Sequence, residues 1–470
     1  MISMDFNTLA ESLKGRLLNR KFGEVLFNGV SIDSRTIQPD QLFIAIKGIN
    51  TDGHKYLDDA IEKKCAGMMV NNSFAPAWEL QGKTPIVVVD NTHEAMIELA
   101  RMRRAELKAK IIGITGSNGK TTTKEITWAI LKSKRDKVYK SPGNFNNLFG
   151  LPLAIFEISD DTEYAVMEMG ISIKGEMTRL AGIANPDLIL ITNVGPTHLE
   201  TLGSVEGVAE AKLELVDAAE EEIPVILNAD DMVLMEAAGK RNREYVTFGF
   251  RNDAGIKGVI SGITRDGCSR IFIDGRQVEA RLFGAHQAYN LLAGYAVAKT
   301  LGLDIIPDDL NRIEFASASF RGDVERLDGL TIVADCYNAN PTSMKSGLLS
   351  FKSFVEYNRG ESKRSIVIVG DMLELGENAE RYHREIGKLL ADLDFDLNVT
   401  IGPLSQAIHD AALEAGVEAE NLLHYEDITV AGNQLIENIE KGDIVYLKAS
   451  RGIGLEKLIT LLKGSAVREN

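Results

Sequence analysis

The sequence predicts an α/β protein of three domains. Short runs rich in Val and Ile recur along the chain, with the length and composition of strands buried on both faces of a parallel sheet. Longer amphipathic stretches, such as Thr123–Ser133 and Val205–Ala219, alternate with them, as crossover connections require. The 470 residues are 44% hydrophobic, enough for about three cores at roughly 150 residues per domain.

The first domain, residues 1–106, is expected to be a small α/β unit with strands at Leu42–Ile46 and Ile86–Asp90. The charged stretch Arg101–Lys110 marks its end. The second, residues 107–314, carries apolar runs at Lys110–Thr115, Tyr164–Met169, Leu188–Asn193 and Val225–Asn228, which suit a central parallel sheet. Gly249–Phe283 reads differently. Lys257–Ile263, Arg270–Asp274 and Gln277–Phe283 mix apolar and polar residues and are separated by Asp266-Gly267 and Asp274-Gly275, so they predict a small antiparallel elaboration. The segment Ile313–Gly322 is the expected second boundary. The third domain, residues 315–470, repeats the alternation at Thr331–Asp335, Ser365–Gly370, Asn398–Gly402 and Ile444–Lys448, and is expected to be a Rossmann-like α/β unit.

Lys+Arg 52 against Asp+Glu 68 leaves a net charge of −16. That balance argues against nucleic acid or anionic lipid as a general partner, since phosphate affinity needs a positive field. A local basic pocket for a phosphorylated small molecule stays compatible with it. Cys65, Cys268 and Cys336 lie far apart, with no C-x-x-C, so neither a disulfide framework nor a zinc ribbon is supported. Free thiols, no apolar run of ~18 residues and no signal-peptide pattern lead to the expectation of a cytoplasmic protein without a membrane span. A monomer is expected separately from these features.

The strongest local signal is Ile111-Ile112-Gly113-Ile114-Thr115-Gly116-Ser117-Asn118-Gly119-Lys120-Thr121-Thr122. A strand runs into a glycine-rich turn and then a helix expected to start near Thr121. Backbone N–H groups of such a turn approach phosphate oxygens, and the helix N-terminus adds partial positive charge. Lys120 would reach the β- and γ-phosphates and Thr121 Oγ1 would ligate Mg²⁺. The spacing is shorter than the usual phosphate loop, because Ile114 stands where that pattern has its first glycine. The second domain is thus expected to be a P-loop ATPase unit.

Glu168 closes the run Tyr164–Met169, and a carboxylate at the C-terminal end of a parallel strand faces the ligand crevice. It is the expected Mg²⁺ ligand. His198 follows the next strand and is a second metal-ligand candidate. Lys212 lies on a helix between Glu210 and Glu214. Read from spacing alone, it is a helix lysine in an exposed ion pair.

These residues resemble the Mur ligase family, and the resemblance covers most of the chain. Thr115–Thr121 with Lys124-Glu125 carries it first. Gly143-Asn144-Phe145-Asn146-Asn147 with Gly150 and Pro152, Glu168 with Gly170, His198, and Ala211-Lys212 follow. Asp335-Cys336-Tyr337-Asn338-Ala339-Asn340-Pro341 with Ser343 is the most discriminating run. It points to the branch that adds D-alanyl-D-alanine to UDP-N-acetylmuramoyl-tripeptide with ATP. Asp33-Ser34-Arg35, Leu42-Phe43-Ile44-Ala45 and Asp52-Gly53-His54 resemble that branch's uridine-nucleotide domain.

The resemblance implies roles residue by residue. Thr115, Gly116, Ser117, Asn118, Gly119, Lys120, Thr121 and Thr122 would cradle ATP, with Asn290 on adenine, Arg321 on the γ-phosphate and Asp335 on the ribose. Thr121, Glu168, His198 and a Lys212 carbamylated by CO₂ would hold two Mg²⁺. Lys120, His198, Lys212 and Arg321 would be catalytic. Ser34 and Arg35 would approach the uridine nucleotide, although a plain Asp-Ser-Arg turn is the simpler local reading. Asn146, Asn147, Tyr337, Asn338, Asn340 and Ser343 would contact the substrates, the last three meeting the dipeptide. Three positions depart from the family pattern. Gln287 and Ala449 replace its Asn and Gly. Cys336 stands where Ser is commoner, as either a reactive thiol or a small buried residue.

Overall fold

The computed structural model describes residues 1–48, 51–74, 84–315, 320–327, 329–360 and 364–466. Each domain is built on its own sheet, and every apolar run named above overlaps a strand, with ends that differ by at most two residues.

The N-terminal sheet has the order Arg16–Leu18, Ile86–Val89, Gly67–Asn71, Leu42–Ile44, Val30–Ser31, parallel except for its first pair. The helix Thr92–Glu106, capped by the Asn91 side chain on the N–H groups of His93 and Glu94, leads from it to the middle domain.

The middle sheet is nine-stranded. Six strands run parallel in the order Val246–Gly249, Val225–Asn228, Leu188–Ile191, Lys110–Thr115, Tyr164–Glu168, Val138–Lys140. The strand Ile256–Ile263 joins them in parallel, and Cys268–Ile273 and Arg276–Phe283 extend it antiparallel. The expected elaboration therefore continues the main sheet at one edge. Its second hairpin turns on Asp274 and Gly275 at φ 49° and 73°, the paired positive dihedrals that a two-residue turn needs to match strand twist.

Pleating sends alternate side chains to opposite faces. Ile111 enters one apolar cluster, while Ile112 and Ile114 enter another. Both faces are thus covered, which is why this strand reads as a continuous apolar run. Each such Ile contributes roughly 1.5–3 kcal/mol on burial. The helix Lys120–Lys132 covers one face and begins one residue earlier than expected. It packs on the helix His286–Thr300, where Gly294 allows close approach: a Cβ there would sit 2.9 Å from Ile126 Cγ2.

The third sheet has the order Asp323–Leu327, Leu330–Ala334, Ile444–Lys448, Ser365–Gly370, Leu397–Ile401, Leu422–Tyr425. It is parallel after its first hairpin. The expected second boundary includes residues 316–319, which lie outside the described residues.

Candidate active site

The carboxyl ends of the middle and third sheets face each other across a cavity of 840 Å³. Parallel sheets place ligands at such ends, and the residues there are the ones the phosphate-loop reading selects.

Thr115 ends its strand fully buried, and Gly116 and Gly119 follow at φ 152° and 78°. A Cβ at Gly119 would meet Asn290 Oδ1 at 2.3 Å, so both backbone angle and space demand glycine. Ser117 Oγ accepts from Gly195 N–H, and Asn118 N–H donates to Asn193 Oδ1, tying the loop to the neighbouring strand end. Thr192 Oγ1 donates to Asn118 O at 2.7 Å. Lys120 Nζ curls over its own loop and donates to Gly116 O at 2.7 Å. Desolvation lowers its pKa, Glu168 opposes that fall and Arg321 adds to it. Thr121 and Thr122 lie buried in the helix's first turn, directly after Lys120.

Glu168 is buried at the end of its strand. Its Oε1 accepts from Asn146 Nδ2 at 2.8 Å. Its Oε2 has no hydrogen-bond partner among the described residues and faces Lys124 Nζ at 3.9 Å. That ammonium donates to Ser141 O and Gly143 O, and burial lowers its pKa. A buried carboxylate oxygen with spare lone pairs at a cleft wall fits a divalent cation. Among the described residues no group of three His, Cys, Asp or Glu side chains converges as a ready-made metal centre. Any cation here would complete its shell from Thr121 Oγ1, ligand oxygens and water.

Lys212 differs from its plain reading. It is 2% exposed, has no hydrogen-bond or ion-pair partner among the described residues, and burial together with Lys120 drives its pKa well below the ordinary lysine range. The flanking acids turn elsewhere: Glu210 pairs with Arg241 at 3.1 Å, and Glu214 accepts from Gly175 and Thr178. His198 lines the cleft, and its Nδ1 lies 2.6 Å from Glu374 Oε2 of the third domain.

The third domain closes the cleft. Arg321 Nη2 donates to Thr121 Oγ1 at 3.1 Å. Arg321 also lies on one side of the Tyr337 ring at 3.9 Å, and Arg451 contacts the same ring at 4.9 Å. Asn340 and Asn118 exchange amide hydrogen bonds of 2.6 and 3.4 Å between the domains. Asp335 Oδ2 accepts from Lys448 Nζ at 2.7 Å and Tyr446 Oη at 2.9 Å.

Other expected residues are already engaged. Asn290 Nδ2 donates to Gln287 Oε1 at 2.7 Å and its Oδ1 accepts from Thr123, so the departing Gln287 anchors the amide beside it. Asn340 and Ser343 form a reciprocal cap on the helix Pro341–Tyr357. Asn338 Oδ1 accepts from Ala339 N–H, and Asn147 Oδ1 accepts from Phe149 and Gly150 N–H. Cys336 is 2% exposed and burial pushes its thiol to about 12, which selects the small buried residue over the reactive thiol.

Ser34 and Arg35 lie in the N-terminal domain and do not line this cavity. Ser34 is buried, while Arg35 is exposed and paired with Asp33 at 2.7 Å. Sequence reasoning gave Glu374 no part. Its place in the loop after the strand Ser365–Gly370 is the signal that could have found it.

The Mur ligase middle domain model matches residues 114–298, the Mur ligase glutamate ligase domain model residues 320–451, and the Mur ligase family catalytic domain model residues 26–104. The chain is 35% identical to UDP-N-acetylmuramoyl-tripeptide–D-alanyl-D-alanine ligase of Bacillus subtilis, covering 98% of both chains. It is 31% identical to the enzyme of the same name from Treponema pallidum, covering 98% of this chain and 99% of that one. Among solved structures it resembles MurF from Acinetobacter baumannii at a TM-score of 0.85 with 25% identity, covering 99% of each chain. It also resembles MurF ligase from Thermotoga maritima in complex with ADP, at a TM-score of 0.78 with 27% identity, covering 94% of this chain and 99% of that one. Matched along its length by three models of one family and by relatives of the same size, this chain belongs to the Mur ligase family.

Proposed function

We propose that the chain joins D-alanyl-D-alanine to UDP-N-acetylmuramoyl-tripeptide in an ATP-driven amide ligation of peptidoglycan precursor synthesis. One observation carries the reading: a phosphate loop with Lys120, Thr121 and Glu168 on the middle domain faces Arg321 and Asp335 on the third across one cavity.

The tripeptide's terminal carboxylate attacks the γ-phosphate and releases ADP, leaving an acyl phosphate. The dipeptide amine then attacks that carbonyl, loses a proton, and phosphate departs. The first step brings two anions together, so the site must neutralise charge. Lys120 and Arg321 supply fixed cations, and the loop's N–H groups orient the phosphates. Asn290, held by Gln287 and Thr123, borders the adenine region. Asp335, held by Lys448 and Tyr446, is set for a ribose hydroxyl. Enclosure between the domains protects the acyl phosphate from water.

Thr121 and Glu168 would hold one Mg²⁺; His198 and Lys212 would hold a second, Lys212 as its carbamate. Bound there, Mg²⁺ supplies charge neutralisation and alignment of the reacting oxygens. A lysine amine adds CO₂ and releases one proton to become an anion, and only the neutral amine reacts. Lys212, buried and without a partner among the described residues, is suited to this, since the negative charge offsets its proximity to Lys120.

Residues 1–106 take the uridine-nucleotide end near Ser34 and Arg35. Residues 107–314 take ATP, with Asn146 and Asn147 toward the tripeptide. Residues 315–470 take the dipeptide near Tyr337, Asn338, Asn340 and Ser343. One chain supplies every group named, so the working unit is read as a monomer. The enzyme is read as cytoplasmic. No helix among the described residues is long and apolar enough to cross a membrane.

The test is an amine panel with purified enzyme, ATP, Mg²⁺ and the UDP-linked tripeptide. ADP release should depend on D-alanyl-D-alanine. Release that responds to a free diamino acid and ignores the dipeptide overturns the assignment.

A further inference from the structure

The contact between His198 and Glu374 has no part in the scheme above. Glu374 follows the third-domain strand Ser365–Gly370, and His198 follows the middle-domain strand Leu188–Ile191. The two side chains meet between the domains at 2.6 Å, and both line the cavity.

Their backbones are unusual. His198 has φ 53° and Glu374 has φ 64°. A residue other than glycine in this region costs on the order of 1–3 kcal/mol and persists where its surroundings over-determine it. Here the two strained residues are each other's partners. The loop carrying Glu374 is docked as well: Gly376, at φ 55°, lies so close that a Cβ would meet Glu200 Cα at 3.3 Å. Glu200 belongs to the short helix Leu199–Leu202 that starts immediately after His198.

Imidazole chemistry gives the pair a direction. When Nδ1–H donates to a carboxylate, the other ring nitrogen keeps its lone pair for a cation, and the ring can no longer rotate freely. We propose that Glu374 is a positioning residue that fixes the tautomer and aim of His198 as a divalent-cation ligand. Because Glu374 comes from the third domain, it does this only while that domain is closed on the middle one. This inference rests on the metal role given to His198 above. Glu374 itself touches no reacting atom.

Manganese binding tests it with the full chain. Enzyme, a non-hydrolysable ATP analogue and the UDP-linked tripeptide are titrated with Mn²⁺, and the free-ion electron paramagnetic resonance signal counts the ions bound. Wild type should bind two and His198→Ala one. Glu374→Ala should weaken only the second ion, by about 10–100-fold, and lower kcat by a similar factor with the KM for ATP unchanged. Glu374→Gln keeps an oxygen acceptor for Nδ1–H and should recover most of both. If His198→Ala still binds two ions, the metal role of His198 fails, and the proposal with it. If His198→Ala loses an ion while Glu374→Ala binds both normally, the proposal alone fails. Equal weakening of both ions in Glu374→Ala also overturns it, as a general disruption of the cleft.

Discussion

Lys212 shows what a single residue can hide in a sequence. Its flanking acids suggested an exposed pair, yet its helix buries Val208, Ala211, Lys212 and Leu215 on one face. That is the three-and-four spacing of a core stripe, so the burial was legible from periodicity. The missing partner was not, because it depends on what other elements place opposite. An amine with a lowered folded-state pKa binds fewer protons folded than unfolded below the ordinary value of 10.5. In CO₂-free buffer its contribution therefore becomes more destabilising as pH falls from 10.5 toward the depressed folded value. Lys212→Met should melt higher than wild type there, with a gap that widens as pH falls; a gap constant with pH counts against a shifted amine. The same variant should lose most ligase activity while still binding an ATP analogue, and near-normal turnover would refute the carbamate.

At the scale of elements, the helix Pro341–Tyr357 joins architecture to function at its first turn. Asn-Pro followed by Ser is a readable start signal, and the structure gives Asn340 and Ser343 that capping job. Asn340 uses Oδ1 for the cap on Ser343 N–H and Nδ2 for the bridge to Asn118 Oδ1. The two uses can be separated. Asn340→Ala should cost about 1 kcal/mol in urea unfolding through the lost cap. Asn340→Asp keeps the cap oxygen and should hold stability to within about 0.5 kcal/mol, yet it sets a carboxylate against Asn118 of the phosphate loop, where its charge repels the phosphates and should raise the KM for ATP. Equal effects of both variants on stability would dissolve the distinction. The parallel strands were readable because both faces are buried. Gly67–Asn71, with two methionines and a glycine, gave no comparable β-branched signal, and three-residue strands such as Arg16–Leu18 are too short to show a period.

For the whole molecule, three sheets and the phosphate loop were open to sequence reasoning, whereas the facing of one domain on another was not. Contacts between distant segments leave no local pattern, which is why Glu374 went unnoticed while Glu168 did not. Arg321 reaches Thr121 from 200 positions away, so its role depends on this arrangement. Arg321→Ala should reduce the single-turnover burst of ADP more than it weakens binding of the UDP-linked tripeptide; an unchanged burst would refute its placement. The bridges between these two domains fall into two groups. Arg326 with Asp266, Asn358 with Arg265 and Ser350 with Ala285 lie on the flank beside the antiparallel hairpin. Arg321 with Thr121, Asn340 with Asn118 and Glu374 with His198 lie in the cleft. Of the cleft group, Arg321 on Thr121 and Asn340 on Asn118 land on groups that nucleotide or its cation would use, so binding there exchanges contacts as well as adding them. The measured affinity is then a difference, smaller than the contacts alone suggest. When products loosen, the protein's own side chains compete for the vacated groups, so the bridges that oppose entry also speed departure.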